Sequence, residues 1–175
     1  MRKFIFGYMI LGFLFAGCRT VIPERDSVSP KFLFRIENRA YTLDITETFD
    51  FDNRALYLKR GETYRIVYTG NDQGGLAFLT WILPNNRSFR IPNSFFGSCT
   101  IEDAGTDRMR VQCAGDRSDP RTGLVITADL IVNGVTTSSV EEYEFNLNAQ
   151  DYFANGTNKF LAVRIHNDAP RTGRR

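Results

Sequence analysis

From Lys31 onward the chain is written in period two: apolar and polar residues alternate in short runs, and polar, glycine-rich breaks separate the runs. Successive side chains of a strand point to opposite faces, so each run reads as a half-buried strand. Residues 32–36, 41–45 and 55–58 are candidate strands. Residues 63–68 place Tyr64, Ile66 and Tyr68 on one face. Residues 76–83 are almost wholly apolar, as expected of a strand in a sandwich core. A short strand is expected over 88–91, and further strands over 124–132, 139–147 and 160–165. Asn133-Gly134 is a two-residue hairpin signal after the first of those three. Residues 151–153 suit a single helical turn, and no longer window carries a helical stripe. Many short strands separated by Gly, Asn and Asp turns predict an all-β fold, a single β-sandwich or barrel spanning 31–168.

The first residues follow a different rule. Met1-Arg2-Lys3 opens with two positive charges, and an apolar run from Phe4 to Phe15 follows. A basic start and a short apolar stretch are the layout of an export signal, and the run is shorter than the roughly 18 residues a membrane span needs. It ends in the small residues Ala16 and Gly17, then Cys18. Phe15-Ala16-Gly17-Cys18 resembles the lipobox of bacterial lipoproteins, with Phe15 where Leu is usual. The resemblance implies that residues 1–17 are removed and that Cys18 carries the lipid. Several acyl chains on one residue give stable attachment to a bilayer. Arg19 stands where an Asp would retain such a protein at the inner membrane, so the outer membrane is the expected location. Residues 18–30, polar and with Pro23 and Pro30, read as a tether, and the basic 169–175 as a flexible tail.

The remaining cysteines are an even pair. Folding the chain back around Thr106 sets Cys99 against Cys113, Ile101 against Val111 and Glu102 against Arg110, with Thr100 against Gln112. One register thus satisfies apolar pairing, charge pairing and a disulfide, as expected in an oxidising compartment. Asp103-Ala104-Gly105-Thr106-Asp107 has the composition of the turn between them. Trp81, in an apolar strand after a long alternating one, resembles the core tryptophan of immunoglobulin-like sandwiches, and the resemblance implies that architecture alone.

Charge and chemistry exclude more than they select. Removing the signal removes Arg2 and Lys3, which leaves twenty basic against twenty acidic residues. A formally neutral chain argues against a nucleic-acid partner. His166 is the only histidine, which excludes most metal centres and leaves a Ser/His or Cys/His site no other base. No cofactor or metal is expected. Asp50, Asp52 and Asn53 offer neighbouring oxygen ligands for calcium, but a strand with Phe49 and Phe51 inward and the carboxylates in water accounts for them. Phe95 and Phe96, after Pro92, are the candidate binding loop. The expected function is a non-enzymatic, membrane-anchored envelope lipoprotein. It would bind protein partners of a secretion, motility or appendage assembly through an edge strand or loop. The alternatives are a surface adhesin or glycan-binding module, and a hydrolase built on carboxylates.

Overall fold

Which residues of each strand face inward is decided by the alternation, and two sheets close over the inward set. The computed structural model describes residues 22, 25–92, 99–105, 107–134, 140–168 and 170–174. Twelve strands run through them, with no helix: β1 (Lys31–Glu37), β2 (Thr42–Thr46), β3 (Arg54–Lys59), β4 (Thr63–Asn71), β5 (Leu76–Pro84), β6 (Phe89–Arg90), β7 (Cys99–Asp103), β8 (Arg108–Ala114), β9 (Gly123–Val132), β10 (Glu141–Asp151), β11 (Gly156–His166) and β12 (Arg171–Arg174). One sheet has the order β2-β1-β4-β9-β6 and the other β12-β3-β11-β10-β5-β8-β7. Neighbours are antiparallel except β3 and β11, which run parallel. The expected β-sandwich is therefore the observed fold.

The core lies between the sheets and is held by rings. Phe34 of β1 meets Trp81 of β5 edge-on at 5.6 Å, and Trp81 meets Phe145 of β10 at 5.5 Å. Phe145 in turn meets Phe89 of β6 at 5.2 Å, so the contacts pass from the five-stranded sheet to the seven-stranded one and back. Tyr64, Ile66 and Tyr68 all point into this core from β4, as their spacing predicts. Burial pushes the Tyr64 hydroxyl up to about 12, although its oxygen accepts the Lys59 N–H. At one end a polar clamp closes the sandwich. Arg60 pairs with Glu141 at 2.8 Å, and Ser88 hydrogen-bonds both Glu141 and Tyr143.

Four sequence expectations need correction. Asn133-Gly134 does not turn a hairpin: β9 belongs to the five-stranded sheet and β10 to the seven-stranded one, so the link crosses between sheets. Asn133 is held by Ser88 through its N–H and by the Arg87 carbonyl through its side chain. Residues 151–153 are not helical. Asp151 ends β10, and its carboxylate takes the N–H groups of Phe153 and Asn155, which turns the chain directly into β11. The stretch around Asp50 is a turn rather than a strand, because the Asp50 carboxylate binds the Asn53 N–H. Finally, residues 171–174 of the expected tail form β12 on the open edge of β3, where Arg171 stacks over the Tyr57 ring.

The segment before β1 has no regular structure in residues 25–30, yet it is tied to the domain. Asn155 donates to the Asp26 carbonyl at 2.8 Å and Thr157 to that of Pro30 at 2.5 Å. Both ties lie at the end of the sandwich where β11 begins. At the same end, Gly115 bends away from β8 and donates its N–H to Ala77 at 2.8 Å. A Cβ on Gly115 would collide with the Leu76 carbonyl oxygen. Gly115→Ala is therefore expected to cost about 1–3 kcal/mol, the usual range for overpacking. Urea unfolding measures it, and an unchanged midpoint would show that β5 and β8 part there freely.

Candidate binding surface

The hairpin of β7 and β8 forms in the register its sequence dictates. Cys99 faces Cys113, Thr100 Gln112, Ile101 Val111 and Glu102 Arg110. The two cysteines are joined by a disulfide. Beyond the strand ends, the Ala104 N–H donates to the Arg108 carbonyl at 3.0 Å, which makes 104 and 108 a hydrogen-bonded pair. Such pairs alternate with non-bonded ones along an antiparallel ladder. Ile101–Val111 and Cys99–Cys113 are therefore non-bonded pairs, and the short 4.1 Å between the cysteine Cα atoms agrees. In a non-bonded pair the backbone groups point away from the partner. Since β7 ends its sheet, the N–H and C=O of Cys99, Ile101 and Asp103 face outward along an open edge among the described residues.

The two outer faces of the sandwich differ in chemistry. On the five-stranded sheet the outward residues are charges, threonines and aliphatics. Arg35 forks onto Asp44 at 2.7 and 2.8 Å, and Arg65 lies 3.8 Å from Glu37. On the seven-stranded sheet the outward residues of β10 are Glu142 and Glu144 and then, toward its end, three amides. Asn146 sits between Phe160 of β11 and Ile82 of β5, Asn148 between Asn158 and Thr80, and Gln150 between Gly156 and Phe78. Phe78 is 41% exposed and Phe160 48%. The Asn146 side-chain oxygen is buried and has no hydrogen-bond partner. Sequence reasoning passed over this face. Its signal is Phe145-Asn146-Leu147-Asn148-Ala149-Gln150, in which three successive outward positions are amides.

Carboxylates also gather where no local motif marks them. Asp26, Asp72 and Asp151 bring oxygens within 4.8 Å of one another. They come from the segment before β1, the residue just after β4 and the end of β10, so no local spacing marks them. Asp72 is 5% exposed and Asp151 2%. Such oxygens are the ligand type of a hard divalent cation. Backbone donors already occupy part of the set: Asp72 accepts from Gly74 at 2.7 Å, and Asp151 from Phe153 and Asn155 at 2.8 Å each. Burial raises the Asp72 carboxyl above the usual range against the pull of the Gly74 N–H, and the charges of Asp26 and Asp151 raise it further.

The other candidate residues fall in separate places. Asp50 and Asp52 border a shallow surface hollow with Arg54 and Arg174, and the Asp50 carboxylate is engaged by the Asn53 side chain at 3.1 Å. His166 ends β11, edge-on to the Tyr57 ring at 5.3 Å. Burial lowers its affinity for protons, against the attraction of Asp168. Its Nδ1 accepts the Asp168 N–H at 2.9 Å, so although the Asp168 carboxylate is 3.7 Å away the two are no ion pair at neutral pH. Among the described residues no hydroxyl or thiol hydrogen-bonds this ring. Cys18, Phe95 and Phe96 lie outside the described residues. No described helix is long and apolar enough to cross a membrane.

No protein-family model and no curated protein sequence matches the chain. Among solved structures it is similar to the collagen-binding subdomain of the Enterococcus faecalis surface protein ACE, at 13% identity over 68% of this chain and 98% of that one, with a TM-score of 0.41. It is also similar to a non-cellulosomal cohesin from the archaeon Archaeoglobus fulgidus, at 10% identity over 65% and 91%, with a TM-score of 0.36. A collagen adhesin from S. aureus aligns at 9% identity over 78% of this chain and 56% of that one, with a TM-score of 0.40.

The carboxylate cluster yields a prediction with a definite sign. Between the ordinary carboxylate value and the raised one, folded Asp72 holds more proton than the unfolded chain does. Its cost is therefore full at neutral pH and shrinks as pH falls. Asp72→Asn keeps an acceptor for Gly74 and removes the charge. It is expected to raise the melting temperature at pH 7 by roughly 2–4 °C, the shift of about 1 kcal/mol in a domain of this size. The gain should fade toward pH 4. A lower melting temperature at pH 7 would mean that the Asp72 charge is stabilised by something stronger than its neighbours repel it.

Proposed function

We propose that this protein is a lipid-anchored, non-enzymatic component of a bacterial cell envelope, more specifically of the outer membrane, that binds a protein partner by strand addition to β7. The observation that carries the reading is the parity of the stapled hairpin. Its disulfide falls on a non-bonded pair, so the backbone groups of Cys99, Ile101 and Asp103 point outward and meet no strand among the described residues. Strand addition uses such groups for affinity and alternate side chains for specificity. Cross-linking holds β7 in place before the partner arrives, which lowers the entropy lost on binding. The opposite edge of the same sheet is β12, and the five-stranded sheet ends in β2, where Asp44 is already engaged by Arg35, and in the two-residue β6. The anchor rests on Phe15-Ala16-Gly17-Cys18 and the charge pattern before it. Asp26 and Pro30 are tied to the domain at the end of the sandwich that also holds the disulfide.

Two experiments test the reading. Cys18→Ser should leave an unprocessed or soluble chain; unchanged membrane partitioning and unchanged mass would remove the anchor. For the partner, the lipidated full chain is purified from detergent extracts and the co-purifying envelope proteins are identified. Ile101→Pro deletes one outward N–H without removing a β7–β8 ladder bond, while Ile101→Val keeps the donor. Partner recovery should fall about tenfold or more with Pro, the loss expected of about 1.4 kcal/mol, and survive with Val. Equal recovery with both variants, each with a melting curve like the parent's, would place the partner elsewhere.

A further inference from the structure

We propose that the outer face of the seven-stranded sheet is a second binding site, for an uncharged polysaccharide chain. This surface is distinct from the β7 edge, and the inference stands whether or not that edge binds protein.

Three observations carry it. The first is composition. Asn is among the residues most depleted in strands, where Thr is the favoured polar residue. Here Asn146, Asn148 and Gln150 occupy three successive outward positions of β10, and Asn158 lies beside Asn148 on β11. Local rules broken together in one place are expected where function requires them. The second is exposure. Phe78 and Phe160 stand open on the same face, each directly across the ladder from one of those amides. By strand geometry they are four residues apart along β10 and two strands apart across it, roughly 17 Å corner to corner. The third is the Asn146 oxygen, buried without a donor. An unmade bond of this kind is a cost that an incoming donor removes. The terminal amide torsion is broad, so the group can swing toward a ligand.

The ligand class follows from what this face offers. Side-chain amides donate and accept at once, and so match hydroxyl groups, which do the same. The negative face of an aromatic ring attracts the C–H bonds of a sugar ring. The amides and rings themselves carry no charge, and the charges that border them face one another: Glu102 lies opposite Arg110, Glu142 opposite Arg164, and Glu144 is 4.0 Å from Arg108. A charged polymer finds no counter-ion there. A polypeptide finds no free backbone groups either, because β8, β5, β10 and β11 are paired on both sides. Two rings separated by a run of amides suit an extended chain of repeating sugars.

The test uses the full lipidated chain in a zwitterionic, sugar-free detergent, titrated with cellohexaose, maltohexaose and chitohexaose. Side-chain amide resonances of Asn146, Asn148, Gln150 and Asn158 report binding by nuclear magnetic resonance. At least one oligosaccharide should shift these resonances at millimolar concentration or below. Its affinity should be unchanged between low and high salt, since no ion pairs form. Phe78→Ala and Phe160→Ala remove exposed rings and should leave the melting temperature in place while each weakens binding about tenfold. The proposal is overturned if none of the three sugars moves these resonances. It is also overturned if the shifts fall elsewhere, if both ring variants bind like the parent, or if a co-purified protein protects this face instead. Partner recovery through Ile101 is unaffected by either ring variant, so failure of one reading leaves the other standing.

Discussion

Trp81 is the ring on which both sheets close. It touches Phe34 from one sheet and Phe145 beside it in the other, and through Phe145 it reaches Phe89. Edge-to-face pairs of this kind add to what burial alone supplies, about 0.5–1.5 kcal/mol each. The constraint is steric as much as energetic. The Trp81 indole N–H and the Tyr68 hydroxyl are buried with no hydrogen-bond partner. The packing of the rings therefore prevails over two unmade hydrogen bonds. Because side chains alternate, fixing the inward face of β5 and β10 fixes the outward face as well. Asn146, Asn148 and Gln150 point outward because Phe145, Leu147 and Ala149 cannot leave the core.

What could be read from the sequence was what is local. The β7–β8 hairpin was legible down to its residue pairs, since two cysteines, a charge pair and a turn lie within fifteen residues and admit one common register. Tyr64, Ile66 and Tyr68 were legible because period two needs no knowledge of the rest of the chain. The misreadings share the opposite property. Asn133-Gly134 has hairpin chemistry, but nothing in those residues reveals that β9 and β10 belong to different sheets. Residues 171–174 look like a solvated tail until the open edge of β3 and the face of Tyr57 are in view. Asp50 and Asp52 have strand-like spacing, yet the Asx bond to Asn53 turns the chain. Asp26, Asp72 and Asp151 meet only through the fold, so the carboxylates that matter to one another were not those that stand together in sequence.

The disulfide links stability to exposure. A cross-strand bond between directly opposed residues favours a non-bonded pair, where the Cα atoms approach most closely. The parity that suits the bond also turns the backbone groups of β7 outward. In the chain-entropy account a loop of this length contributes about 3 kcal/mol, which holds the edge in its strand conformation while it remains unpaired. Unguarded edges invite aggregation, and Glu102 and Asp103 supply the charge that natural edges use against it. An edge that is rigid, charged and short pairs with a chosen partner more readily than with its own copies.

The two outer faces complete the argument. On the five-stranded sheet, charged side chains satisfy one another: Arg35 with Asp44, Arg65 with Glu37. Such a face is finished, since a ligand would have to compete with bonds already made. On the seven-stranded sheet, the Asn146 oxygen is left without a donor and two phenyl rings without cover. Solubility alone is served better by threonine and lysine at these positions, and the core behind them sets only their direction, not their identity. The choice of amides is therefore a property of the surface itself. Its uncharged donors and acceptors are arranged for something that must be recognised by shape and hydroxyl pattern rather than by charge.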